Sequence, residues 1–290
     1  MSTPVSTQPQ VSFGRRVIRA LDWSGRNANV VIGGILIGII ILVAAFAPLI
    51  AGADPYAIDL TNLLKAPSWE HPFGTDDNGR DIFARVIYGA QYSLLEVALS
   101  VAIATAVGVP LGIIAGMGGR WVDEIIMWVM DVLFAFPGIV LAILIVSILG
   151  PSLFNLMIAI ALFAIPVYAR LARNLTLGLK QMEFIEAAHA LGVPQHRILL
   201  NYILRNSFGP IIVQSTLTAG TVILTAASLS FLGLGAQPPI PEWGAMMSQG
   251  RNYLGVNIWM SLFPGLAIMI TVLGFNILGD GLRDLLDPRK

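Results

Sequence analysis

The sequence predicts an all-α polytopic membrane protein with about six transmembrane helices and both termini in the cytoplasm. Three observations carry that expectation. Of 290 residues, 56% are hydrophobic and only 12% charged, whereas a soluble domain is about 25% charged. One soluble core has no room for that much apolar surface, and a bilayer accommodates it. The apolar residues fall in long uncharged runs, matched to a hydrocarbon core roughly 30 Å thick. The basic residues divide unevenly between two sides once those runs are laid out as spans.

Val30 to Ala53 holds no charge over 24 residues. It is longer than the roughly 7–15 apolar residues of a cleavable signal, so it reads as the first span. Val97 to Gly119 is the second uncharged run. Val132 to Ala169 is 38 residues long, too long for one helix, and Gly150-Pro151-Ser152 near its middle reads as a tight turn between two spans. Asn206 to Pro241 supplies the fifth span, ending near Gly233 and Gly235, and Asn252 to Gly279 the sixth. With these spans, 13 of the 17 Lys and Arg residues fall on the side of the termini, leaving Lys65, Arg80, Arg85 and Arg251 opposite. The positive-inside rule then places both termini in the cytoplasm and the acidic segment 54–91 outside.

This layout divides the chain into three parts. Residues 1–28 form a cytoplasmic N-terminal segment. There Phe13 to Trp23 mixes Arg15, Arg16 and Arg19 with apolar residues, as either an amphipathic helix in the inner lipid headgroup layer or a basic tail that orients the first span. Residues 29–91 hold the first span and the external segment. Residues 92–290 form the core, interrupted by a cytoplasmic loop at about 173–205.

Small residues mark helix contacts. Gly108, Gly112 and Gly116 recur at four-residue spacing in the second span, and Gly34 and Gly38 do so in the first; both sets read as packing faces. Intramembrane charges are few. Glu96 is placed at the outer end of the second span. Asp131, about two turns into the third, is a functional candidate by default; the alternative is a local ion pair near the inner interface. Phe136 shares its stretch.

Several chemistries find no support. With no cysteine there is no disulfide, thiolate nucleophile or Cys-ligated metal. No G-x-x-x-x-G-K-[ST], H-E-x-x-H or G-x-S-x-G motif occurs, so the chain is not expected to hydrolyse ATP or act as an enzyme of those classes. His71, His189 and His196 all lie outside the spans, leaving no acid or histidine series for a proton relay. An ion-coupled secondary transporter would also show broken spans in matching positions. Zero net charge gives no broad field for nucleic acid.

The most informative stretch is Met182 to Pro194. Glu183, Glu186, Ala187, Ala188, Ala190 and Leu191 favour a short helix, Gly192 stops it and Pro194 discourages continuation. A second helix from about Gln195 runs toward the fifth span. The residues alone fit a connecting loop or a docking helix equally. Glu186-Ala187-Ala188, three residues, then Gly192 resembles the EAA loop of binding-protein-dependent ABC importer permeases. The match extends over residues 70–288 through His71-Pro72-Phe73-Gly74-Thr75-Asp76, Gly79-Arg80-Asp81, the run Asp131 to Pro137, Ser228 to Gly235, Gln237-Pro238-Pro239, Gly279 to Asp284 and Leu286-Asp287-Pro288. More narrowly the chain is similar to the second permease subunit of the dipeptide/oligopeptide/nickel group.

That resemblance implies a type I ABC importer permease fold in a bacterial inner membrane. It implies a second, similar permease subunit, two cytoplasmic ATPase subunits that carry the ATP and Mg, and an external binding protein that delivers a short peptide or a glutathione-like molecule. Nickel or another small solute is the alternative cargo. The segment from Glu183 to Leu191 with Gly192 would be the coupling helix that docks on an ATPase. Asp131 and Phe136 would belong to the pathway or its gate. One departure is visible: the family has Ile-Leu-Pro after the loop, whereas Arg205 follows Ile203-Leu204 here, which leaves a bend at the base of the fifth span in question.

Overall fold

The computed structural model describes residues 27–286. Among these the regular structure is helical, with a single isolated bridge between Thr75 and Asp81. Helix α1 spans Ala28–Ala45 and is followed, after Phe46, by a short turn of helix at Ala47–Ile50. Helix α2 runs Ile82–Met117, α3 Arg120–Ala135, α4 Gly138–Leu149 and α5 Leu153–Lys180. Helix α6 is Glu183–Ala190, α7 runs continuously through Gln195–Phe231, α8 is Trp243–Gly250 and α9 Trp259–Leu286. Five of these are long and apolar enough to cross a membrane, and the α3–α4 pair, bent by 89°, brings the number to six if it is counted as one broken span.

Two spans differ from the run-based expectation. Helix α2 begins at Ile82, well before Val97, and its 36 residues give about 54 Å at 1.5 Å per residue. The uncharged run misses its first turns because Arg85 and Glu96 lie inside the helix, both 1% exposed. Glu96 is therefore interior to the helix, while its distance of about 31 Å from Met117 at 1.5 Å per residue is compatible with the expected place at the outer end of the membrane-crossing part. The third span is bent at Phe136-Pro137. Pro137 lacks a backbone N–H and restricts the residue before it to extended conformations, and Phe136 accordingly has ψ of 135°. The Gly150 turn comes where expected, with φ of +89°. The segment Phe13 to Trp23 lies outside the described residues.

The centre of the bundle is the α2–α5 pair. A Cβ on Gly108 would stand 2.7 Å from the Ile165 carbonyl, one on Gly112 would overlap the Ala169 carbonyl, and one on Gly116 would stand 2.7 Å from Thr176 Cβ. The three glycines thus form a seam on which α5 lies backbone to backbone, as their spacing predicts. The first-span pair behaves otherwise. Among the described residues no other part of the fold lies within 4 Å of a Cβ on Gly34 or Gly38; Gly33 instead packs on the backbone of Leu278 in α9.

One end of the bundle is closed by the segment 51–81 together with α8. Arg80 pairs with Asp76 at 2.7 Å, and Arg85 lies 3.6 Å from the same carboxylate, all nearly inaccessible. Asp81 caps α2 by accepting from the Ala84 N–H and holds His71 at 2.8 Å. Gly74 and Gly79 have φ of +80° and +74°, a conformation costly for other residues, where the chain doubles back on Lys65 and Asp59. Thr61 donates to Asp59 from its hydroxyl and its N–H, which holds the Asp59 carboxyl below its usual range. Glu242 caps α8 by accepting from the Gly244 and Ala245 N–H groups at 2.7 and 2.8 Å, and Trp243 donates to the Val86 carbonyl at 2.9 Å. Asn257 donates to the Thr75 carbonyl at 2.9 Å. The His71–Asp81 motif is thereby a fold determinant: it knots the connecting segment to the ends of α2 and α9.

Candidate functional site

The opposite end carries α6. Lys180, the last residue of α5, donates to the Gly116 carbonyl at 3.1 Å and fixes where α5 and α2 finish. Two residues later α6 begins, with Glu183 and Glu186 in its first turn, where carboxylates favour the positive end of the helix dipole. It ends in a Schellman motif: the Gly192 N–H donates to the His189 carbonyl at 2.9 Å, and the Val193 N–H to the Ala188 carbonyl at 3.0 Å. That motif needs a left-handed residue, and Gly192 has φ of +74°. Among the described residues, chain neighbours aside, none comes within 4 Å of a Cβ there, so the requirement for glycine is conformational and not steric.

The helix has two faces. Ile185 (1% exposed) and Ala188 (5%) sit with Ile198 and Ile203 in a small core of their own, lined further by Val193, Leu179 and Tyr202. This core seats α6 on the base of α7, as a rigid platform. The other face points away from the chain. Phe184, Ala187 and Leu191 form a stripe at spacing i, i+3, i+7, with Phe184 43% and Leu191 83% exposed; Ala187 is exposed between them and Glu183, Glu186, Ala190 and Gly192 lie around it. Sequence reasoning gave Ala188 and Ala187 the same role, but Ala188 is a packing residue whose side chain is turned inward. It also passed over Phe184, whose register with Ala187 and Leu191 was the available signal. Phe184 stacks loosely on Tyr202, centroids 6.3 Å apart, which orients it.

Where the family proline is replaced by Arg205, α7 does not break. Its first turns at Gln195–Ile198 pass into a π-helical turn at Leu199–Leu204 and then into regular helix. Such a turn accommodates one extra residue and is frequent at functional positions.

The remaining sequence candidates lie elsewhere. Asp131 is on α3, paired with Arg170 of α5 at 2.7 Å, and the Arg170 guanidinium lies 4.3 Å above the Phe134 ring. A second pair, Asp123 with Arg173 at 2.5 Å, ties the same two helices. Phe136 sits at the α3–α4 break. None of these reaches α6, so the structure separates the loop from the intramembrane candidates.

A helical bundle with this span pattern, and a short helix seated outside it with an exposed apolar stripe, defines a multi-pass membrane protein. Comparison with known proteins identifies the class. Residues 108–290 match the family described as binding-protein-dependent transport system inner membrane component, and residues 25–67 match the N-terminal TM domain of oligopeptide transport permease C. The chain is 51% identical over 264 residues to a dipeptide transport system permease protein of Alkalihalophilus pseudofirmus, covering 91% of this chain and 87% of that one. It is 48% identical over 289 residues to a probable D,D-dipeptide transport system permease protein of Escherichia coli, covering 99% and 96%. It is 50% identical over 253 residues to a glutathione transport system permease protein of Escherichia coli, covering 87% and 83%. Among solved structures, an inward-facing MetNI methionine ABC transporter superposes with a TM-score of 0.58 at 19% identity, over 69% of this chain and 96% of that chain, which establishes the fold.

The chain belongs to the family of binding-protein-dependent transport system inner membrane components. It is a multi-pass inner-membrane permease subunit of the type I ABC importer fold, a transport component and not an enzyme.

Proposed function

We propose that this chain is one of two permease subunits of an ATP-driven importer for short peptides, in which α6 docks into a groove of a cytoplasmic ATPase subunit. The observation that carries the docking role is the α6 stripe of Phe184, Ala187 and Leu191, exposed on a helix whose opposite face is locked by Ile185 and Ala188. An apolar stripe on a rigidly seated helix is the arrangement that transmits a push, because the helix cannot rotate on its platform. The dipeptide and glutathione cargoes in the names of its relatives support the peptide assignment.

On this reading both termini and α6 are cytoplasmic, in keeping with the distribution of basic residues; the loop itself is shorter than the expected 173–205, because α5 runs on to Lys180 and α7 begins at Gln195. Residues 54–81 and α8 face outward, toward a binding protein. ATP and Mg reside on the two ATPase subunits, and a second, similar permease completes the pathway. The chain divides functionally into the N-terminal segment 1–28, the first span with its external segment to residue 91, and the core from 92 to 290.

The test is reconstitution of the four-protein complex in liposomes with its binding protein. Peptide-loaded binding protein should stimulate ATP hydrolysis and drive uptake, and Glu186→Lys should remove both while the two permeases still co-purify. Normal uptake by Glu186→Lys together with Leu191→Asp would contradict the docking role.

A further inference from the structure

The Asp131–Arg170 pair joins α3 to α5 close to the α3–α4 break, with Asp131 four residues before the end of α3 at Ala135. Arg170 is ten residues before Lys180 at the end of α5, and Asp131 eleven residues after Arg120 at the start of α3, so each stands about 15 Å from those ends at 1.5 Å per residue. Yet the pair is open: its side chains are 66% and 39% exposed. Charges at such depth face protein or water, never lipid tails. The next residues make the same demand. Phe136 and Pro137 interrupt the span with an 89° bend and are themselves exposed, and non-helical backbone within a membrane is tolerated only against protein or a water-filled cavity. Both features sit at the α3–α4 break and call for protein or water beside it.

A cavity of about 370 Å³ opens at this place, lined by Phe134, Phe136, Pro137 and Phe163. Neither Asp131 nor Arg170 lines it, but Arg170 lies over the ring of Phe134, which does, and pairs with Asp131. An aromatic pocket with that ion pair next to one of its walls is complementary to a small zwitterion: it offers a guanidinium to a carboxylate and a carboxylate to an ammonium. Phosphates and simple metal cations would satisfy only one of the two groups.

We infer that this cavity is a substrate station in the translocation pathway, where a short peptide exchanges the Asp131–Arg170 pair for contacts from its own termini. Its carboxylate takes the place of Asp131 on Arg170 in a charge-assisted pair, its ammonium takes the place of Arg170 on Asp131, and its side chains lie among Phe134, Phe136 and Phe163. The exchange replaces one ion pair with two, so the peptide enters without leaving a charge unpaired. This inference rests on the peptide-importer reading above.

The test uses the full transporter with its binding protein in liposomes, with p-benzoyl-phenylalanine at position 163 and radiolabelled dialanine as probe. Under ATP turnover the label should cross-link to position 163, and Arg170→Gln or Asp131→Asn should reduce that capture about tenfold or more. The charge-swapped double variant Asp131→Arg/Arg170→Asp separates a station from a structural tie. It restores an ion pair and should restore recovery of the assembled complex, but uptake should stay at least tenfold low. Undiminished cross-linking in Arg170→Gln, or wild-type uptake by the swapped variant, would overturn the inference. Arg120→Gln, at the surface pair with Glu124, should leave capture unchanged; a loss equal to that of Arg170→Gln would also overturn it. If the unmodified complex showed no uptake driven by the binding protein, the importer reading itself would fail and the station with it.

Discussion

The glycine seam between α2 and α5 and the alanine-rich helix α6 carry the same kind of sequence signal, small residues at helical spacing, and put it to opposite uses. In the seam, Gly108, Gly112 and Gly116 are small because α5 already occupies the space where side chains would be. On α6, Ala187 is exposed, and its smallness leaves space free for something outside the chain. Spacing cannot separate the two cases; burial does. Ala188 makes the point within a single helix, since it adjoins Ala187 yet belongs to the packed set.

The comparison breaks most sharply at Gly112. A leucine there meets the Ala169 backbone carbonyl, which cannot move without moving α5. Gly112→Leu should cost about 3 kcal/mol, the upper end of overpacking penalties, and should be read as lost expression and a lowered melting temperature of the detergent-solubilised permease pair. Ala188→Leu should come next. It overfills the core of Ile185, Ile198 and Ile203 and should cost about 1–3 kcal/mol, confined to the loop; hydrogen exchange should rise across 183–204 while the spans stay protected. Gly192→Val strains a left-handed residue by about 1–2 kcal/mol, whereas Gly192→Asn should keep uptake, because asparagine tolerates that conformation and the site has room. Uptake assays on the two variants check this. The smallest effect belongs to Gly34→Ala, whose methyl meets nothing within 4 Å among the described residues and which should raise the melting temperature by a few degrees at most, through the better helix propensity of alanine.

Much of the fold was legible. Five uncharged runs and a Gly-Pro turn place the spans, because hydrocarbon solvation acts on composition alone. What escaped has identifiable causes. The start of α2 was hidden because Arg85 and Glu96 are buried inside it, and a charge count treats every charge as an end. The α3–α4 bend needs only Pro137, but an uninterrupted apolar run drew attention to Gly150 instead. At the site, the position of α6, its C-terminal glycine and its acidic first turn could all be read from residues 183–192. The division of its faces could not, because the partner of Ile185 and Ala188 is the start of α7, and only the fold brings Ile198 and Ile203 to them.

The central claim is that the exposed face of α6 belongs to a partner and its buried face to the chain. The most direct measurement is recovery of the ATPase subunits through a tagged permease carrying Ala187→Trp, alongside the melting temperature of the permease pair. The account predicts that the ATPase subunits are lost, by at least tenfold, with the melting temperature unchanged. Full ATPase recovery with Ala187→Trp, or a melting temperature lowered as far as by Ala188→Leu, would contradict it.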